Sequence, residues 1–290
     1  MPKTKKTKKT KKVAKKLKKW PSKWWVLMVT LAISFVGLIG GTFAWFTSAD
    51  SITNTFSGSH LVAEIDETFN SNNSWKPGEN TQKEVRVKNT GDVNAFVRVS
   101  LYEFLLSFQV DTTDQTGNAN LKTVDKEKTP TVDDSKTNTW EPAAQGGGTY
   151  QTSGKYYVAS KAWVSNPDKR EGMYQYPGTD RTTAPFKYIT LNFASTIQQT
   201  VPSSGGDYWL YENGYFYYSR PLKPGESTSN LLNSISLVTT IPNQFKGSLY
   251  KLKVYMDAHD ETDTIYSAWS LPKDGQAYKL LASQLAKGGK

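Results

Sequence analysis

Hydrophobic and polar residues alternate with a period of two along much of the chain after residue 60. The segments 84–88 and 95–102 place an apolar residue at every second position, which is the pattern of strands with one buried face. Because the turn-forming residues 89–92 separate them, we expect these two segments to pair as antiparallel neighbours. Further strand candidates are 61–65, 156–159, 188–193, 234–240 and 250–256. The pattern predicts an all-β protein.

The most specific local signal is a hairpin at 208–218. Two aromatic runs flank Asn213 and Gly214, and both of these residues readily take the positive φ angles of a tight hairpin turn. The sequence therefore predicts two short antiparallel strands joined at this dipeptide.

The tetrapeptide Lys-Pro-Gly-Glu occurs twice, at 76–79 and at 223–226, and each copy precedes a strand candidate. Proline presets φ at the second position of a type II turn, and glycine accepts the positive φ of the third position. The residues that carry these turns are Pro77, Gly78, Pro224 and Gly225. We interpret both copies as structural turns that lead into strands, not as ligand sites.

Between the two β-rich parts lies a middle region, 111–190, that we interpret as an insertion. Its first part, 111–154, is rich in polar residues and glycine and poor in aliphatic residues, which favours a loop over a contribution to the core. At the other end of the chain, Tyr278, Leu281 and Leu285 have helical spacing. Residues 271–290 are therefore expected to form a helical tail.

The net charge of +10 is concentrated at one end of the 290-residue chain. Residues 1–44 hold 12 of the 36 basic residues and no acidic one, which leaves 24 basic against 26 acidic residues, a net charge of −2, in the remainder. A folded part that is nearly neutral does not present the basic surface of a nucleic-acid-binding protein. We expect no nucleic-acid partner.

The lysines precede an uncharged apolar run at 24–44, long enough to span a bilayer. A basic segment followed by such a run is typical of an export signal, and small residues at Thr42 and Ala44 favour signal peptidase cleavage between Ala44 and Trp45. The alternative is an uncleaved membrane anchor. With cleavage, the protein is secreted and contacts the membrane only before processing.

Motifs for catalysis are absent from the sequence: it contains no HExxH, GxSxG or Walker A pattern. The chain has no cysteine and only two histidines, His60 and His259, so no thiolate or polyhistidine metal site is expected. One acidic cluster comprises Asp257, His259, Asp260, Glu261 and Asp263. We interpret it as a solvated strand exit, with a calcium site as the alternative. We predict no cofactor and no enzymatic activity.

Several segments together resemble the TasA and camelysin family of exported biofilm matrix proteins. The family's order of a signal, a first strand, a KPG turn, a strand, an N-x-G turn and a further strand is similar to that of this chain. The segments that carry the resemblance are 40–46, 51–64, 75–79, 85–91 and 95–99, and 214–237 is similar to the clostridial BsaA-like subunits.

This resemblance covers 26–99 and 208–256. It implies a jelly-roll-like antiparallel β-sandwich, processing by a SipW-like signal peptidase, and assembly with copies of itself and other matrix components into extracellular biofilm fibres. Camelysin members are described as metalloproteases, from which this chain departs because it lacks a motif with two histidines. The alternatives are therefore a secreted camelysin-type metalloendopeptidase and a membrane-anchored surface adhesin.

Cleavage after Ala44 would free an N-terminal arm, 45–60, ahead of the sandwich at 61–270. Its apolar residues, Trp45, Phe46, Ile52 and Phe56, would let it act as a donor strand on the open sheet edge of a neighbouring subunit. Such a head-to-tail contact does not close on itself, so it would propagate as a fibre. A disordered terminus and an intramolecular first strand are the alternatives for this arm.

Overall fold

The structure is a computed structural model and describes residues 46–48, 61–69, 76–113, 120–125, 131–179, 181–182 and 185–288. All of them belong to the compact unit Phe43–Lys290. The predicted signal segment 1–44 lies outside the described residues. Within the described ranges no helix has the length and apolar character needed to cross a membrane.

Most of the regular structure is β-sheet, and the elements are numbered here in chain order. The strands are β1 Phe46–Ser48, β2 Ala63–Phe69, β3 Asn80–Asn89, β4 Ala95–Phe108, β5 Thr123–Val124, β6 Thr149–Thr152, β7 Lys155–Trp163, β8 Ile189–Phe193, β9 Ile197–Gln198, β10 Trp209–Glu212, β11 Tyr215–Tyr218, β12 Leu232–Leu237 and β13 Ser248–Asp260. The α-helices are α1 Trp140–Gly146, α2 Ile265–Ala268 and α3 Gln276–Gly288, and 3₁₀ turns lie at Thr137–Thr139, Pro167–Lys169, Phe186–Tyr188 and Asn243–Phe245. The predicted all-β class is confirmed.

Over the described residues the strands form two sheets. The larger sheet has the order β1-β13-β4-β11-β10-β9, and β7 pairs with β4 and carries β5 and β6. The smaller sheet has the order β2-β3-β12-β8. Val85 and Val87 of β3 face Val97 and Val99 of β4 across a common core, so the sheets form a sandwich.

The prediction that 84–88 and 95–102 pair as neighbours is wrong, because β3 and β4 lie in different sheets. The turn between them is held by Asn89, whose side-chain amide donates to the carbonyl oxygens of Val93 (2.8 Å) and Leu222 (2.8 Å). These bonds direct the chain from one sheet to the other instead of back along the same sheet.

The second face of β4 is also buried, and part of its cover comes from the inserted middle region. Trp140 and Ala143 of α1 and the preceding Val132 pack with Phe104 and Leu106 of β4. Trp140 is only 1% exposed. The expectation that 111–154 contributes loops and no core is therefore wrong for this part, which covers the outer face of the larger sheet.

The C-terminal helix covers another part of that outer face. Leu280 and Leu281 of α3 are buried in a cluster that includes Phe96 of β4. At the start of α3, the carboxylate of Glu212 accepts from the backbone N–H groups of Gln276 (2.8 Å) and of the next residue (2.9 Å). A carboxylate at this position satisfies two of the free donors of the helix terminus and complements its dipole.

Candidate functional site

Strand β13 lies near the margin of the larger sheet and has two unlike neighbours. On its inner side it pairs antiparallel with β4 from Leu249 opposite Leu106 to Asp260 opposite Ala95. On its outer side it pairs parallel with β1, which is the outermost strand of this sheet in the described part of the chain. The arm therefore contacts the sheet at its edge.

The register of this outer pairing is defined by the backbone of β1. Phe46 lies opposite Ser248, Thr47 opposite Leu249 and Ser48 opposite Tyr250. The described part of β1 thus follows the intramolecular alternative that we considered for the arm. The other residues of the predicted cleavage site and donor strand, Ala44, Trp45, Ile52 and Phe56, lie outside the described residues.

The two faces of β13 also differ: one faces the core between the sheets, and the other faces the insertion. Alternate residues point into the core between the sheets, and these are Tyr250, Leu252, Val254, Met256 and Ala258. On the opposite face Lys251 is buried, and its ammonium group donates to the carbonyl oxygens of Asp134 (3.4 Å) and Ser135 (3.2 Å) in the insertion. The insertion is therefore tied directly to the strand that pairs with the arm.

Both Lys-Pro-Gly-Glu segments adopt the same turn. Gly78 and Gly225 have φ angles of 80° and 79°, and in each turn the glutamate N–H donates to the lysine carbonyl at 3.0 Å. The glutamate carboxylate also accepts from the lysine N–H, at 2.8 Å for Glu79 and 2.9 Å for Glu226. These contacts are internal to each turn, and they position the entries of the chain into β3 and towards β12.

The second of these turns is held by an ion-pair network. Arg220 donates to both carboxylate oxygens of Glu226 and to both of Asp207, at 2.7 to 2.9 Å. Its guanidinium hydrogen bonds hold the pKa of each carboxyl below the usual range. The network fixes the turn against the loop before β10.

The hairpin formed by β10 and β11 reverses at Asn213 and Gly214, whose φ angles are 51° and 86°. A side chain at Gly214 would place its Cβ within 3.0 Å of the Met173 side chain. Glycine is therefore required here by both the backbone angle and the close approach.

The acidic strand exit does not assemble into a metal site in the described part of the chain. Asp257 accepts from Arg98 (2.8 Å), Glu261 accepts from Asn94 (2.8 Å), and the Nδ1 atom of His259 lies 2.8 Å from the Asp260 carboxylate. Among the described residues, no group of three or more histidine, cysteine or acidic side chains is arranged to hold a metal ion.

Sequence reasoning missed a buried carboxylate, Glu103, on the core face of β4. It accepts from Arg181 (2.6 Å) and from the Tyr250 hydroxyl (2.8 Å), so it joins the insertion to β13 through the centre of the sandwich. The sequence signal was a single acid within the apolar run 101–106, a segment in which every residue is buried.

Comparison with known proteins gives one match. Residues 21–140 match the family model described as Camelysin metallo-endopeptidase. No curated protein and no solved structure matches the chain. The match confirms the predicted resemblance to this family over residues 21–140, and it does not distinguish the BsaA-like subunits within it.

The same match corrects one expectation. The prediction that this chain is not an enzyme is contradicted, because the family's description names a metallo-endopeptidase. The described residues do not fit the metal that this description implies, since they bring no three ligands together.

Proposed function

From the premise that the segment 21–140 places this chain in the camelysin family, we propose that it is an exported subunit of an extracellular biofilm matrix fibre. In this fibre the N-terminal arm of one subunit pairs with β13 of the next. The chain's partners are then further copies of itself, other matrix components, and a SipW-like signal peptidase that frees the arm.

The observation that carries this proposal is the position of β1 at the outer side of β13. Its described contact with the sheet is a parallel pairing of three residues. A short parallel edge strand is held less firmly than a long antiparallel one. Exchange of such an element between identical subunits costs little, because the same contacts re-form with a neighbour.

The pattern of the arm sequence supports the same register over a longer stretch. Continued without a break, the pairing of Phe46 with Ser248 would set Ile52 opposite Val254 and Phe56 opposite Ala258. Paired residues of adjacent strands project to the same face of a sheet, and here that face points into the core. An arm donated in this register would direct Phe46, Ile52 and Phe56 to the core and Trp45 to the opposite face.

Processing supplies the free arm in this proposal. Cleavage between Ala44 and Trp45 would leave only one residue before β1, so no apolar segment would tether the arm. We expect the mature protein to begin at Trp45, as measured by intact mass of the exported form. A mature chain that retains residues before Trp24 would contradict this step.

The experiment that tests strand donation uses an engineered cysteine pair in a chain that otherwise has none. Phe46→Cys and Ser248→Cys occupy paired positions across the β1–β13 edge. In isolated monomer, oxidation should give an intramolecular disulfide. In fibres it should give covalent ladders on non-reducing gels, because the paired cysteines then belong to different subunits.

The matched control is the single variant Phe46→Cys, which should give no ladder beyond a dimer. Oxidised fibres of the double variant that dissolve entirely into monomers carrying an intramolecular disulfide would show that the arm stays on its own subunit. Assembly would then proceed through another surface.

The family description favours a second candidate function, a metal-dependent endopeptidase. If this chain has that activity, purified exported protein should cleave casein, lose the cleavage on chelation and contain stoichiometric zinc by elemental analysis. Cleavage that survives chelation would contradict a metallo-endopeptidase, and a zinc-free inactive preparation would contradict this candidate.

A further inference from the structure

A cavity of about 490 Å³ opens beside the buried carboxylate of Glu103. Its walls come from the end of β7, from residues 164–165 and 171–175, and from Arg181 and Phe186. Aromatic rings line part of it, and those rings belong to Trp163, Tyr174 and Phe186. The size and the mixture of aromatic walls with a few polar groups are those of small-molecule sites.

Glu103 contributes a carboxylate that is almost fully buried. One oxygen, Oε1, accepts from the Arg181 guanidinium and from the Tyr250 hydroxyl. Both of these hydrogen bonds go to Oε1, so the second oxygen, Oε2, takes part in neither. Burial raises the pKa of this carboxyl, while the Arg181 charge opposes the rise. The Glu103 carboxylate can therefore accept a further hydrogen bond at Oε2.

Arg181 contributes an unused donor at the same place. Its terminal Nη2 atom is taken by Glu103, and its guanidinium lies over the Tyr174 and Phe186 rings at 5.4 and 6.0 Å. Its Nε atom is buried and has no hydrogen-bond partner. An unsatisfied buried donor is unfavourable, and a bound acceptor would remove that cost.

The wall of the cavity is fixed to β4 before any ligand enters. The Ser165 hydroxyl donates to the Glu103 carbonyl at 2.7 Å, and the Tyr174 N–H donates to the Leu101 carbonyl at 2.8 Å. A site held in this way loses little conformational entropy on binding.

We propose that this cavity binds a neutral carbohydrate unit, one hydroxyl of which accepts from Arg181 Nε and donates to Glu103 Oε2. The paired charges decide the ligand class. An anion would meet the Glu103 carboxylate, and a cation would meet the Arg181 guanidinium, at short range in a poorly solvated site. A hydroxyl group is neutral and both accepts and donates, so it matches both free positions at once.

The test measures saturation-transfer NMR on the full-length mature protein with three neutral disaccharides, maltose, cellobiose and N,N′-diacetylchitobiose. Citrate and spermidine serve as anionic and cationic comparison ligands. We expect transfer to at least one disaccharide and none to the two charged compounds. No transfer to any of the three disaccharides, or transfer to citrate or spermidine in preference, would overturn the proposal.

Variants then locate the binding. Arg181→Lys keeps the positive charge beside Glu103 but removes the Nε donor, and it should weaken binding roughly tenfold, the loss expected for one hydrogen bond to a charged group. Glu171→Arg, at an exposed position of the cavity wall, should weaken binding by obstruction without a folding defect. Arg86→Lys, in a half-exposed ion pair with Asp66, is the control and should bind as wild type.

Thermal unfolding of each variant separates loss of binding from loss of fold. If Arg181→Lys is destabilised, Glu171→Arg alone decides the result. Binding that is unchanged in Glu171→Arg, or equally reduced in Arg86→Lys, would show that the disaccharide binds elsewhere.

Discussion

The two sides of β13 are held in unlike ways. The inner side pairs with β4 over almost the whole length of the strand, in one uninterrupted antiparallel register. The outer side pairs with the three residues of β1, in parallel. One strand thus joins the most deeply buried part of the sandwich to its margin, and a contact made at the margin acts directly on a strand of the core.

This contrast suggests how a stable subunit can also exchange a strand. β4 is covered on one face by the smaller sheet and on the other by the insertion and the C-terminal helices. Its pairing with β13 is therefore part of the global fold. The β1 pairing lies at the outer margin of the sheet, where local opening costs far less than unfolding.

The largest expected effect is the loss of fibres on deletion of the arm, 45–60. The deletion removes β1 but leaves the β4–β13 ladder intact, so we expect a folded monomer that does not assemble. Ile52→Asp should act in the same way, because burial of an unpaired charge costs several kcal/mol at each subunit contact. Negative-stain microscopy and size exclusion measure assembly, and circular dichroism measures the fold.

The matched control for this deletion is a charge reversal far from the arm. Lys122 lies at an exposed position of the insertion, where Lys122→Glu is made. Lys126→Glu and Lys128→Glu, outside the described residues, are the further charge reversals. These variants should assemble normally. If the arm deletion still forms fibres of ordinary length, the outer side of β13 does not mediate assembly.

The second largest effect is a loss of stability when a buried residue of β4, on the inner side of β13, is truncated. Leu101 lies in β4 opposite Val254 and is completely buried. Leu101→Ala should lower the free energy of unfolding by about 2–5 kcal/mol, because it removes buried methyl groups and leaves a cavity. Urea denaturation measures the change. The exposed Val93→Ala is the control and should stay within about 0.5 kcal/mol of wild type.

The sequence predicts these regions unequally. The strand candidates overlap β2, β3, β4, β7, β8, β12 and β13, and the turn dipeptide placed the hairpin of β10 and β11. The short strands β5, β6 and β9 and the second buried face of β4 were not predicted. Alternation alone does not identify the neighbour, because the valines of β3 and β4 meet the same core whether their strands share a sheet or face each other. The pairing was therefore mistaken where Asn89 carries the chain between sheets.

Sequence analysis missed the buried residues that do not recur at the regular spacing of a strand or a helix. Trp140 and Val132 are isolated apolar residues in a polar segment, and only the tertiary fold brings them onto β4. The cavity beside Glu103 depends on Arg181, which is distant in sequence and belongs to no strand. Local pattern cannot predict such a pairing, although an acid inside an apolar run indicates that a partner is needed.

The third effect is a dependence on pH that arises from Glu103, in the strand on the inner side of β13. Glu103 has a folded-state pKa above its ordinary value of 4.5, chiefly because of burial. A group of this kind contributes stability that is fully present below the unfolded-state pKa and is lost as pH rises through the folded-state pKa. The advantage of wild type over Glu103→Gln should therefore shrink as pH rises from about 4.5.

Urea denaturation of both proteins across that range measures this change. The difference between the two unfolding free energies is used because other groups titrate equally in both proteins. A difference that grows with rising pH would contradict a raised pKa. A difference that stays constant would show that Glu103 does not titrate across the range.

The smallest effect concerns two buried serine hydroxyls, one at each side of the comparison. Ser248 begins β13 opposite Phe46, and its hydroxyl is buried without a hydrogen-bond partner. The Ser165 hydroxyl donates to the Glu103 carbonyl on β4 at 2.7 Å. Ser248→Ala should therefore stabilise the monomer by up to about 1 kcal/mol, whereas Ser165→Ala should destabilise it by about 1 kcal/mol. Thermal unfolding of the two variants measures both changes, and a loss of stability in Ser248→Ala as large as that in Ser165→Ala would mean that the Ser248 hydroxyl at the edge is hydrogen-bonded as fully as the Ser165 hydroxyl on β4.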